Sequence, residues 1–132
     1  MKEINTNINV IGGGLIGLAC AFSLLKLGYK VTILEKKPKH NPKKNNSDKR
    51  TIAISEGSKQ FLDKIGIWKY LIQHAEPIKN IKIIDRSPIN ILDFDNHRRN
   101  SNLGYIIKNR KIIDIFYQKL SKYNNLKIFN NI

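Results

Sequence analysis

Gly12, Gly14 and Gly17 stand in the Gly-x-Gly-x-x-Gly register, and an acid, Glu35, follows roughly twenty residues later. Residues of these types at this spacing suit the ADP half of a dinucleotide. Gly12 lets the chain turn sharply out of a strand. Gly14 has no side chain to keep a pyrophosphate off the backbone, and Gly17 lets a helix press close against a sheet. The helix opening near Gly14 would aim unpaired N–H groups and the positive end of its dipole at the phosphates. Glu35 would accept charge-assisted hydrogen bonds from ribose hydroxyls and repel a 2′-phosphate. FAD or NAD therefore fits better than NADP, although Lys36 and Lys37 soften the repulsion.

A glycine triplet alone says little, so the flanking elements matter. Ile8 to Ile11 reads as a short apolar strand, the stretch from Leu15 as a helix, and Val31 to Leu34 as a second strand. Together they make a βαβ nucleotide unit over 5–36. Residues 37–50 carry Pro38, Pro42 and many lysines and asparagines, which predicts an exposed loop. An insert of helices and strands is expected over 51–108. Thr51 to Ser55 reads as a short strand, Ser55 caps a helix carrying Phe61, Leu62 and Ile65, and Trp68 begins a further helical turn ended by Pro77. Ile81 to Ile84 and Ile91 to Phe94 read as partner strands, and Leu103 to Ile107 as a third. Over 111–130, Ile112, Phe116 and Leu120 fall at helical spacing with Ile113 and Tyr117 beside them. Leu126 to Phe129 then closes as a strand.

The chain has 132 residues and a formal net charge of +14. That length suffices for one domain with a core. The charge resembles a nucleic-acid signal, but lysine is scattered along the chain and isoleucine and asparagine are in excess as well. A compositional bias therefore explains it better than a selected basic surface, and no specific nucleic-acid partner is expected. What remains is salt-sensitive attraction to polyanions and anionic membranes. Cys20 is the single cysteine, so no intrachain disulfide can form, and its apolar neighbours predict a buried thiol. Ile8 to Leu27 is apolar, but its glycines and the polar Ser23–Lys26 break argue against a membrane span or a leader. His40, His74 and His97 lack the spacing of a zinc site, so no metal is expected. Asp93, Asp95 and His97 read as a solvated polar turn, and Trp68 as a core residue.

Several stretches narrow the assignment. Ile11 to Gly17, Glu35, Asp48 to Ser58, Leu62 to Trp68 and Leu103 to Asn109 together resemble the FAD-dependent aromatic-ring monooxygenases, and within them the ubiquinone-biosynthesis hydroxylases. The Arg-x-Ile-Ala-Ile-Ser stretch beginning at Arg50 carries the choice of subgroup. The resemblance implies an α/β fold, a Rossmann-like FAD-binding domain of the aromatic hydroxylase type with a small β insert, truncated at the C-terminus. It implies FAD as cofactor, NAD(P)H as reductant, and hydroxylation of a polyprenylated phenol by O₂. It also implies Gly12, Gly14 and Gly17 at the pyrophosphate turn, Glu35 at the ribose, and Arg50 near the cofactor. A guanidinium there can pair with phosphate in a bidentate way. The lipid-tailed substrate places the work at the cytoplasmic face of a membrane, peripherally. No catalytic residue is assigned.

Family members are much longer, and this chain lacks their later Asp-Gly and Gly-Asp segments. The expectation is an N-terminal part, inactive alone, with the remainder on a separate chain if it exists. Two alternatives stay open: a non-catalytic ADP- or FAD-binding remnant, and another FAD- or NAD-linked oxidoreductase sharing only the first βαβ unit.

Overall fold

The computed structural model describes residues 7–38, 41, 48–84, 91–95 and 102–132. Strand β1 (Asn7–Ile11) leads through the glycine turn into α1 (Leu15–Lys26) and returns as β2 (Lys30–Glu35), parallel to β1. The last strand, β8 (Leu126–Asn130), pairs parallel to β2 on its other side, giving the order β1-β2-β8. This is the parallel strand expected after the amphipathic helix. Its register sets Glu35 opposite Asn130, so both side chains stand at the carboxyl ends of their strands.

Helix α4 (Asn109–Leu120) packs beside α1 over this sheet. Its spacing buries Ile112, Ile115, Phe116 and Leu120, and α1 buries Leu18, Ala21, Phe22 and Leu25. Val31 and Ile33, alternate residues of β2, supply the sheet side of the same core. Phe22 meets Phe116 edge-on, with ring centroids 6.0 Å apart. Cys20 corrects an expectation: it is exposed, because it falls between the inward positions of α1 and faces away from α4.

The middle of the chain builds a second layer. Strands β3 (Thr51–Ser55), β4 (Ala75–Ile78) and β7 (Gly104–Lys108) form an antiparallel sheet with β7 in the centre. Ser55 caps α2 (Glu56–Lys64), its hydroxyl oxygen accepting the Ser58 N–H at 3.2 Å. Trp68 opens α3 (Trp68–Leu71) and is buried against Tyr105, ring to ring at 4.9 Å. A 3₁₀ turn, Ile72–His74, follows.

Two features differ from the sequence expectation. Pro77 does not end a helix; it lies within β4, an edge strand, which is where a sheet tolerates proline. Strand β7 does not extend the isoleucine-rich hairpin. Strands β5 (Asn80–Ile84) and β6 (Ile91–Asp95) pair only with each other among the described residues. Helix α4 also touches α3 and β7, so one continuous core runs from the parallel sheet to Ile54, Leu62 and Ile107 of the second layer.

Candidate functional site

The glycine turn sits where β1 ends and α1 begins. Gly12 adopts φ +98°, a conformation that side chains disfavour, and donates its N–H to the Leu34 carbonyl at 2.7 Å. Gly14 is extended and caps α1, its carbonyl accepting the Leu18 N–H at 2.9 Å. A Cβ on Gly14 would meet nothing within 4 Å, so the space above it is open. A Cβ on Gly17 would lie 1.9 Å from the Gly12 carbonyl oxygen. That contact is impossible, and only glycine lets α1 start this close to the turn.

Glu35 closes the arrangement from the tip of β2. Its Oε2 accepts the N–H of Gly13, and its Oε1 accepts the N–H of Lys37 at 2.8 Å. The Lys37 and Gly13 N–H groups hold this carboxyl below its ordinary pKa against the opposing effect of burial, with lesser help from the Lys37 and Lys36 charges. Each carboxylate oxygen has a second acceptor position, so ribose hydroxyls can still be received.

Sequence reasoning missed two neighbours of this carboxylate. A Cβ on buried Gly13 would lie 3.0 Å from Glu35 Oε2 and 3.1 Å from the Tyr117 hydroxyl of α4. The phenol therefore closes over the same loop residue, and burial first, then the Glu35 charge, pushes its pKa up. Asn130, opposite Glu35 in register, keeps its Oδ1 buried without a hydrogen-bond partner among the described residues. Buried acceptors are normally paired. Open space over Gly14, spare acceptor capacity on Glu35 and this unpaired oxygen fit a nucleotide at the carboxyl ends of the strands. No local signal in the sequence joins Tyr117 or Asn130 to the glycine turn.

Arg50 stands just before β3. Its Nε and Nη2 donate to Oδ1 and Oδ2 of Asp48 at 2.8 and 2.9 Å, and its side chain is 75% exposed. Asn109, the first residue of α4, donates its Nδ2–H to Asp48 Oδ2 at 2.7 Å. The Arg50 guanidinium, then the Asn109 amide, hold the Asp48 carboxyl well below the usual carboxylate range. Helix α4 thus links the two groups, with Asn109 at the Arg50 end and Tyr117 at the loop. At 1.5 Å per residue these positions are about 12 Å apart along the axis.

The other candidates stay separate. His74 is exposed, and His40 and His97 lie outside the described residues. Asp93 pairs with Lys82 at 3.4 Å on the open hairpin. Among the described residues no group of three metal-ligating side chains converges. A groove of about 580 Å³ beside α4, holding Lys119 3.4 Å above the Tyr70 ring, is lined by neither loop glycines nor Glu35.

Residues 5–123 match the family model described as FAD binding domain. The chain is 25% identical over 116 residues to the ubiquinone hydroxylase UbiL of Rhodospirillum rubrum, covering 88% of this chain and 27% of that protein. It is 26% identical to the ubiquinone hydroxylase UbiM of Neisseria meningitidis, covering 98% of this chain and 29% of that protein. The 3-demethoxyubiquinol 3-hydroxylase of Escherichia coli is 25% identical, with 93% of this chain and 32% of that protein covered. The chain thus spans about a third or less of the curated relatives it matches. Among solved structures, p-nitrophenol 4-monooxygenase PnpA from Pseudomonas putida superposes with a TM-score of 0.74 at 19% identity, over 99% of this chain and 33% of that one. PqsL, a probable FAD-dependent monooxygenase from Pseudomonas aeruginosa, gives 0.75 at 11% identity, over 96% and 33%. The fold is shared with these enzymes, the turn and its acid stand at the tips of parallel strands, and the family match runs through both layers: the chain belongs to the FAD binding domain family.

Proposed function

We propose that this chain supplies the ADP-binding part of an FAD-dependent monooxygenase that hydroxylates a polyprenylated phenol in ubiquinone biosynthesis, with NAD(P)H as reductant. The observation that carries the reading is the Glu35 carboxylate closed on Gly13 beneath an open Gly14, at the carboxyl ends of β1 and β2. The names of the ubiquinone hydroxylases UbiL and UbiM supply the reaction class.

In this reading the backbone amides around Gly12 and Gly14 receive the pyrophosphate, and Gly17 keeps α1 close enough for its dipole to act. Glu35 orients the ribose through its remaining acceptor positions, and Arg50 pairs with a phosphate through its exposed edge. When bound, FAD supplies the redox chemistry that uses O₂. The flavin ring and the phenol are held by polypeptide beyond these residues, on a continuing or separate chain. A prenylated substrate places the work at a membrane surface, on the cytoplasmic side. No helix among the described residues is long and apolar enough to cross a membrane, while the charge of +14 favours contact with anionic lipid.

Titration of the ¹⁵N-labelled 132-residue chain with ADP tests this directly. Amide shifts should concentrate at Gly12, Gly14, Gly17 and Glu35, and Glu35→Ala should weaken ADP while leaving inorganic pyrophosphate binding almost unchanged. Shifts confined to other surfaces overturn the reading. The same chain should bind intact FAD weakly and show no hydroxylase turnover, so sub-micromolar FAD binding by calorimetry contradicts the division of labour.

A further inference from the structure

Asp48 is fully used. Its Oδ1 accepts the backbone N–H and the Nε–H of Arg50 at 3.1 and 2.8 Å, and its Oδ2 accepts Arg50 Nη2 at 2.9 Å and Asn109 Nδ2 at 2.7 Å. Both oxygens thus fill both of their acceptor positions. The Arg50 carbonyl is held too, accepting the Asn109 N–H at 2.9 Å. Arg50 is therefore fixed at its backbone and along one edge of its guanidinium, although the side chain is 75% exposed. The bound edge is Nε and one N–H of Nη2. The opposite edge, Nη1 with the second N–H of Nη2, points outward.

From this geometry we infer that Asp48 and Asn109 are positioning residues, which hold the Arg50 guanidinium so that its outward edge meets the pyrophosphate of FAD. The inference rests on the proposed contact between Arg50 and that pyrophosphate. A planar guanidinium offers two bidentate edges, and occupying one with a carboxylate leaves the other set for a phosphate. Asp48 also brings a negative charge towards the phosphate, but it is shared among four donors and offset by the cation it holds. The long arginine side chain otherwise loses rotamer freedom on binding, and the pairing removes that loss in advance. Asn109 extends the device to the start of α4, the helix that carries Tyr117 to the glycine turn.

Asp48 has a simpler competing role, as the residue that turns the backbone at Arg50. Asp48→Asn separates the two. An amide oxygen can still accept the Arg50 backbone N–H, but it cannot take the guanidinium through two oxygens. The test follows the Arg50 Nε–H signal by NMR and measures ADP affinity for wild type, Asp48→Asn, Asn109→Ala, Arg50→Gln and the Asp48→Asn/Arg50→Gln double variant. Without ligand, the Nε–H of wild type should exchange slowly with water and that of Asp48→Asn rapidly. ADP should bind Asp48→Asn about fivefold more weakly, and Asn109→Ala about twofold, with the double variant no weaker than Arg50→Gln alone. Were Asp48 only a competing anion, its neutralisation would instead tighten ADP. Unchanged or tighter binding by Asp48→Asn, alongside weakened binding by Arg50→Gln, overturns the positioning role alone. Unchanged binding by Arg50→Gln removes the Arg50–phosphate contact and the inference with it. If Asp48→Asn does not fold, Asn109→Ala decides: an unchanged Nε–H exchange rate and ADP affinity sink the proposal.

Discussion

The parallel sheet and the β5–β6 hairpin spend the same kind of residue in opposite ways. Ile33 of β2 is fully buried beneath α1 and α4, whereas Ile83 and Ile84 of β5 are 50% and 69% exposed. Across the ladder, Leu92 and Phe94 of β6 are exposed as well. The difference lies in what covers each sheet. A βαβ crossover brings its own helix back over the strands it joins, so apolar residues of β2 have a lid by construction. A two-stranded hairpin has none, and alone it is marginally stable. Apolar composition thus marks where a chain can bury surface, while connectivity decides whether it does.

Substitutions can break or sharpen this contrast. Ile33→Ala removes a fully buried side chain and should cost about 2–5 kcal/mol in guanidinium chloride unfolding. Gly17→Ala should come next: the new methyl cannot coexist with the Gly12 carbonyl, so α1 must withdraw, at about 1–3 kcal/mol and with loss of ADP binding. Acid should act on the parallel unit through Glu35. Its carboxyl titrates below its ordinary value of 4.5, so its contribution is complete above that value and lost as pH falls through the lower folded one. Between roughly pH 6 and pH 3 the wild type should therefore lose more thermal stability than Glu35→Gln. Phe94→Ala, on the open hairpin, should change stability by at most about 0.5 kcal/mol. A loss matching that of Ile33→Ala would show that the hairpin face is covered in solution and erase the contrast.

What could be read in advance follows from sequence distance. The glycine turn, its flanking elements and Glu35 lie in one contiguous stretch with clear periodicity, and each was legible. So were the Ser55 cap, the buried Trp68 and the β5–β6 pairing, which depend on neighbours a few residues away or on one simple ladder. Strand β4 was not, because Pro77 reads locally as a terminator and only the central position of β7 makes it an edge residue. Exposed Cys20 escaped for a related reason: its apolar neighbours hide which side of α1 it occupies. Arg50 stood out as a candidate cation, but Asn109, which shares Asp48 with it, joins from 61 residues away. The approach of Tyr117 to Gly13 likewise exists only once α4 has docked.

That docking gives α4 a property beyond packing. Because one end touches the arginine's anchor and the other the glycine turn, its length and rotational phase are tied together. Inserting a single residue between Asn109 and Tyr117 would swing the two ends about 100° out of step. Natural variation in this helix should therefore avoid single insertions between those points, even where its outer surface tolerates any polar side chain.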